Sequence, residues 1–258
     1  MIPIFVLTLR ALGRGRRLLL VAVLLAVPVL LAVAYRASAP YQHDFRPAYH
    51  TFDRFILPFL IQLFDQLIVP ILLPLTALIF ATSALGGEVE DRTLLYLTLR
   101  PVSRLVIVVA KALAAMLVTT VLVEISLAVM YAIGVQGYAS AGAGQSFGAN
   151  MLAGLAGCLA YCSLFLLVGL LAPRRALLVG FLYVLVWEGV AAGFSTGLAT
   201  LSVRRYVEGV LHASLGPVSF PHLVWPSISG TTSALVVAAI VAGGIALSTV
   251  RLHRMELP

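Results

Sequence analysis

Residues 55–85 form a thirty-one-residue run in which Asp65 is the only charged side chain. Hydrocarbon supplies no partner for backbone N–H and C=O groups, so such a run reads as a membrane-spanning helix that satisfies them internally. At 1.5 Å per residue it would reach about 46 Å, well beyond a hydrocarbon core of roughly 30 Å. The segment must therefore tilt, bend or begin at the interface. Pro58, Pro70 and Pro74 each lack an N–H donor and mark the expected bends.

The same argument recurs along the chain, with further spans expected at 18–34, 105–133, 150–172, 176–198 and 233–250. With 61% hydrophobic and 10% charged residues, the sequence excludes a soluble domain, which would carry about 25% charged residues. The expected fold class is an all-α membrane protein, a single transmembrane domain over 1–258 with six transmembrane helices. Ala37-Ser38-Ala39 imitates a signal-peptidase site after the first run, but Pro40 directly behind it argues against cleavage, and the run is kept as a span. Residues 1–17, with Arg10, Arg14, Arg16 and Arg17 among apolar residues, have the pattern of an amphipathic helix at the cytoplasmic surface.

The net charge of +7 follows from topology and does not indicate nucleic acid. Six spans with both termini inside put twelve Lys and Arg residues on the cytoplasmic side and five outside: Arg36, Arg46, Arg54, Arg204 and Arg205. Pro173-Arg174-Arg175 is the expected tight turn between spans four and five. Residues 35–54, with Tyr35, Tyr41, Phe45, Tyr49 and Phe52, suit an external interfacial belt. Residues 134–148, rich in Gly, Ala and Ser, are expected to be an external loop. His43, Asp44, His50 and Asp53 match no metal spacing and read as polar residues of an external segment.

One charged island interrupts the apolar chain. Gly86-Gly87 is expected to end the second span, and Glu88, Glu90 and Asp91 to fall in the first turn of a short helix, where the dipole favours acids. Arg92, Thr93, Leu94, Leu95, Leu97 and Leu99 continue it. Arg100-Pro101 closes it, and Ser103 is placed to cap the next long helix, followed by Arg104 and, seven residues on, Lys111.

On these residues the segment resembles the loop between the second and third spans of the ABC-type-2 permease family, although Arg92 stands where that family often has Gly. The resemblance implies a coupling helix that seats in a groove of a separate cytoplasmic P-loop ATPase. It further implies a transporter, in most members an exporter, built from two permease copies, a homodimer or a pair of close homologues, and two ATPase copies. The localisation it implies is the cell membrane, a bacterial inner membrane, with lipid around the spans. Lys111 is the only lysine and stands in no G-x-x-x-x-G-K-[ST] motif, so no cofactor is expected on this chain, and ATP and Mg belong to the partner. The chain is not expected to be an enzyme.

Residues 199–232 contain Val203, Val207, Val210 and Leu211 at helical spacing with Arg204, Arg205 and Glu208 between them, and then a second apolar piece through Phe220, Leu223, Val224 and Trp225. The resemblance implies a re-entrant pair of external helices; a helix lying flat on the outer surface fits the same pattern.

Asp65, Glu124 and Glu188 lie inside spans, where carboxylates are costly and face a bundle interior or cavity. They are the pathway candidates, and also the residues on which an ion-gradient-driven secondary transporter would depend. Such a transporter would show an inverted repeat, which the sequence lacks. A cationic or amine-bearing substrate is one reading of these acids; acids that are protonated, or paired with polar neighbours for helix packing, are the other. Gly193-Phe194-Ser195-Thr196-Gly197 fits a serine-nucleophile motif, but no histidine falls within a span, and Gly189, Gly193 and Gly197 suit close helix packing instead. Cys158 and Cys162, one turn apart on one helix, read as buried small residues.

Overall fold

The computed structural model describes residues 2–13, 15–45, 52–90, 103–136, 141–191, 196–215 and 228–254. Among these there is no strand. Helix α1 (Ile2–Leu12) is followed by α2 (Arg16–Phe45) and by α3 (Phe52–Leu63), which runs without a break into a π-helical segment (Phe64–Leu72) and then α4 (Leu73–Glu90). The long helices α5 (Arg104–Val135) and α6 (Ala141–Leu171) come next. A 3-10 turn (Pro173–Arg175) leads to α7 (Ala176–Leu182), a second π-helical segment (Tyr183–Ala191) and α8 (Thr196–Ala199). Helices α9 (Val203–Leu215) and α10 (Gly230–Arg254) complete the chain.

Five helical segments are long and apolar enough to cross a membrane: Arg16–Ser38, Ile56–Gly87, Arg104–Val135, Gly142–Leu171 and Gly230–Arg254. The segment expected as span five is helical over Ala176–Leu182 and Tyr183–Ala191, in two pieces of different winding.

Helix α6 is the axis of the bundle, packing against α4, α5, α9 and α10. Its buried face carries Cys158, Ala160, Tyr161, Phe165 and Leu166, all essentially inaccessible. Small residues let its neighbours approach closely. In α5 the buried residues Ala112, Met116, Thr119, Val123 and Leu127 face inward, while Leu113, Leu117, Val121, Ile125 and Val129 form an exposed stripe four residues apart. That stripe is apolar all along its length, as a lipid-facing surface must be. Both cysteines are free and buried, and the Cys162 thiol lies 3.4 Å from Thr119 Oγ1.

Three expectations are corrected. Gly86-Gly87 does not end a helix, because α4 continues to Glu90. The reason is tertiary: a Cβ on Gly86 would fall 2.9 Å from the carbonyl oxygen of Gly169, and one on Gly169 would fall 3.1 Å from that of Thr82. The two glycines thus serve a backbone-to-backbone crossing of α4 over α6. Glu88 and Glu90 in consequence lie at the C-terminal end of α4 and not in the first turn of a new helix. Residues 134–148 are not a loop throughout: Gly134 and Val135 end α5, and α6 begins at Ala141, in line with alanine's helical preference. Likewise α2 runs well past residue 35, through His43 and Asp44 to Phe45.

Other local signals act as read. Ser103 is the N-cap of α5, its hydroxyl accepting from the Val106 N–H. Pro70 lies inside the first π segment, the stretch where the long second span departs from α geometry. Two arginines bind neighbouring helix ends, where unpaired carbonyls collect. Arg36 donates to the carbonyls of Gly134 (3.1 Å) and Gln136 at the end of α5. Arg104 donates to those of Leu252 (2.6 Å) and His253 (2.9 Å) at the end of α10.

Candidate functional site

The polar residues of the bundle collect where the two π-helical segments meet α9. Asp65 is in the first turn of one segment, and Tyr183 and Glu188 belong to the other. The segments touch each other, and α9 packs against the first of them as well as against α6 and α10. Helix α9 is the amphipathic helix expected from sequence: Val203, Val207 and Leu211 are buried, and Arg204 and Arg205 are half-buried. The second apolar piece, with Phe220, Leu223, Val224 and Trp225, lies outside the described residues, as do Gly193 and Ser195.

Glu188 is 1% exposed, yet its carboxylate is well supplied with donors. The Tyr183 hydroxyl donates to it at 2.7 Å, the Val203 N–H at 3.1 Å and the Arg204 N–H at 3.4 Å, and the Ser202 hydroxyl makes a further short bond. The two N–H groups open α9, where four backbone donors lack helical partners and the dipole favours an anion. Glu188 therefore acts as a cap supplied from another helix. It fixes the start of α9 to the second π segment.

Four residues into α9, Glu208 pairs with the Arg204 guanidinium. Burial pushes the Glu208 carboxyl up to about 7, with Arg204 opposing the rise and Asp65 and Glu188 adding to it. Arg204 is also within electrostatic reach of Asp65. One guanidinium thus stands among three carboxylates. Asp65 is buried with its Oδ1 lacking any hydrogen-bond partner among the described residues, and the Tyr161 hydroxyl, from α6, is buried and equally unpartnered. A carboxylate oxygen and a hydroxyl without hydrogen-bond partners among the described residues are costly at such depth, and mark this junction as a polar point of the bundle interior.

Glu124 is elsewhere. It lies on the α5–α6 interface, where a Cβ on Gly154 would come 3.1 Å from its Oε1, and both of its carboxylate oxygens are buried without a hydrogen-bond partner among the described residues. The three intramembrane acids therefore separate: Asp65 and Glu188 share the junction, and Glu124 does not.

Of the expected coupling residues, Asp91, Arg92, Thr93, Leu94, Leu95, Leu97, Leu99, Arg100 and Pro101 lie outside the described residues. Glu88 and Glu90 close α4, and Arg104 opens α5. The roles of Ser202, Arg204, Glu208 and Tyr183 were not expected. Among them only the Arg204–Glu208 spacing of four on one helix carries a sequence signal. No three of the described His, Cys, Asp and Glu residues are placed to hold a metal ion. A profile of the family described as ABC-2 family transporter protein matches residues 3–257. No curated protein matches the chain.

Proposed function

Because the chain belongs to the ABC-2 family of transporter proteins, a multi-pass membrane component of ATP-driven transport, we propose that it is the permease of an exporter powered by a separate cytoplasmic ATPase. Two permease copies and two ATPase copies make the working assembly, with the termini of the permease in the cytoplasm of a bacterial cell. ATP and Mg are handled by the partner.

The observation that carries this reading is how the flanks of residues 91–102 are tied into the bundle. The incoming helix α4 is locked to α6 at Gly86 and Gly169, and the outgoing helix α5 is tied through Arg104 to the end of α10. Lys111 of α5 also donates to the Ala84 carbonyl of α4 at 3.0 Å. A push on the segment between these anchors is therefore delivered to four helices together. Glu88, Glu90 and Asp91 present the acidic contact, and the leucines after them the apolar one.

Asp65 is the residue of the junction that we assign to the conduit, since its buried Oδ1 has no hydrogen-bond partner among the described residues. Glu188 holds α9 in place. The test is charge reversal, Glu88→Lys with Glu90→Lys. Recovery of the cognate ATPase with the purified permease should fall, with the helical content and melting of the permease unchanged. Wild-type recovery together with wild-type transport would refute the coupling assignment.

A further inference from the structure

Of the three carboxylates at the junction, two are already engaged. Glu188 accepts from the hydroxyls of Tyr183 and Ser202 and from the N–H groups of Val203 and Arg204, and Glu208 pairs with Arg204 Nε. Asp65 differs: it is 8% exposed, and its Oδ1 has no hydrogen-bond partner among the described residues. From this we propose that the junction binds the protonated amine of a cargo with an apolar body, with Asp65 as the counter-charge. The inference rests on the assignment of Asp65 to the conduit and adds the chemical class of the cargo.

The charge of the ligand follows from what surrounds Asp65. An anionic group would meet Asp65 and Glu188 as like charges. A neutral group would leave a buried carboxylate with no counter-charge in contact, which is costly at this depth. Arg204 is within electrostatic reach of Asp65 but is bonded to Glu208, one turn along its own helix. An ammonium brings three donors and no acceptor, and so answers Oδ1 without adding an acceptor to a group already rich in them. Its bond to a carboxylate is charge-assisted, and among the stronger kinds available in a dry site. A metal ion is a poorer match, since no three of the described His, Cys, Asp and Glu residues are placed to hold one.

The body of the ligand follows from the rings beside the acids. Tyr161 stacks on Phe165 with ring centroids 6.0 Å apart, and Phe165 meets Tyr183 edge-on at 6.0 Å, so a row of aromatic side chains runs from α6 to the second π segment. Tyr161 and Phe165 are fully buried, and Tyr161 lies within electrostatic reach of Glu188 and Glu208. Aromatic faces attract a cation and also cover alkyl groups. Phe64 and Ile68, on either side of Asp65 in the chain, add buried apolar surface. Cargo reaches Asp65 as the two π-helical segments, Phe64–Leu72 and Tyr183–Ala191, part from each other; widened winding of this kind recurs at functional sites.

The test uses the full chain in nanodiscs of zwitterionic lipid. It would be irradiated with a diazirine-bearing octylamine, or with the matching alcohol, carboxylic acid or N-acetyl amide, and the labelled peptides mapped by mass spectrometry. The amine should label α6 around Tyr161 and the two π segments, and excess octylamine should compete. Asp65→Asn should lower this labelling roughly tenfold, and Asp65→Glu should retain the larger share of it. If Asp65→Asn does not fold, the comparison on wild-type protein decides: the N-acetyl amide, which carries no charge, should label the junction about tenfold less than the amine. Equal labelling by amine and alcohol, or wild-type labelling in Asp65→Asn, would overturn the site. Stronger labelling by the carboxylic acid would reverse the charge of the cargo and overturn it as well. The measurement needs no ATPase, so a failure to label refutes the amine, while the coupling assignment stands or falls separately on Glu88 and Glu90.

Discussion

The carboxylate of Glu188 accepts the Val203 backbone N–H at 3.1 Å, so the start of one helix is capped by a side chain from another. Removing it leaves two hydroxyls and two helix N–H groups without their acceptor. At about 1–3 kcal/mol for each unsatisfied buried group, Glu188→Ala should cost roughly 3 kcal/mol or more. Glu188→Gln, which keeps one acceptor oxygen and turns a donor toward donors, should fall between. Thermal melting in detergent measures both, and a Glu188→Ala protein as stable as wild type would show that α9 is held by other contacts.

Asp65 should behave differently. Asp65→Asn keeps the shape of the side chain and removes its capacity for negative charge, so cargo-stimulated ATPase activity of the assembled complex should drop while basal activity and assembly persist. Unchanged stimulation would return Asp65 to a packing role.

Glu208 gives a pH signature. Its carboxyl is raised from the usual 4.5 to about 7, chiefly by burial, so the folded chain holds more protons than the unfolded one between those values. Stability must then fall as pH rises through that window, by up to about 3 kcal/mol for this group alone. Glu208→Gln should flatten the dependence of the melting temperature between pH 4.5 and 7. A slope unaffected by the substitution would show that Glu208 does not carry the pH dependence.

The glycine pair supplies a matched comparison. Gly86→Ala drives a Cβ into the backbone of α6, an overpacking that costs about 1–3 kcal/mol. At Gly87 nothing lies within 4 Å of the position a Cβ would take, so Gly87→Ala should be neutral or gain about 0.5–1 kcal/mol from helix propensity. Denaturation of the two variants side by side decides it.

Topology is tested by thiol labelling in a background with Cys158→Ala and Cys162→Ala. Gln136→Cys, at an exposed helix end, should react in intact cells, and Ser103→Cys only after permeabilisation. The reverse result would invert the chain and remove the coupling assignment with it.

What could be read from the residues alone was whatever is decided locally. Ser103 caps α5 because a hydroxyl needs only the N–H groups just ahead of it. The long apolar runs cross the bundle because length and composition suffice. Gly86 is ambiguous in sequence because glycine signals both a chain reversal and a close approach, and only Gly169, more than eighty residues on, decides between them. The π segments had no legible signature beyond Pro70, since widened winding is set by what packs around it. Glu188 was marked as an expensive buried acid, but its partners Ser202, Val203 and Arg204 become neighbours only when the chain folds back on itself. The small side chains of residues 141–148 suggest a loop, although alanine extends a helix as readily as it fills a turn.

The single lysine has a use of its own. Besides the α-amino group, Lys111 is the only primary amine in the chain, and it lies beneath α1 at 1% exposure. An amine-reactive reagent consequently has one side-chain target, and because Lys111 is almost fully buried, its rate of modification reports how often the packing around it loosens, with no engineered label.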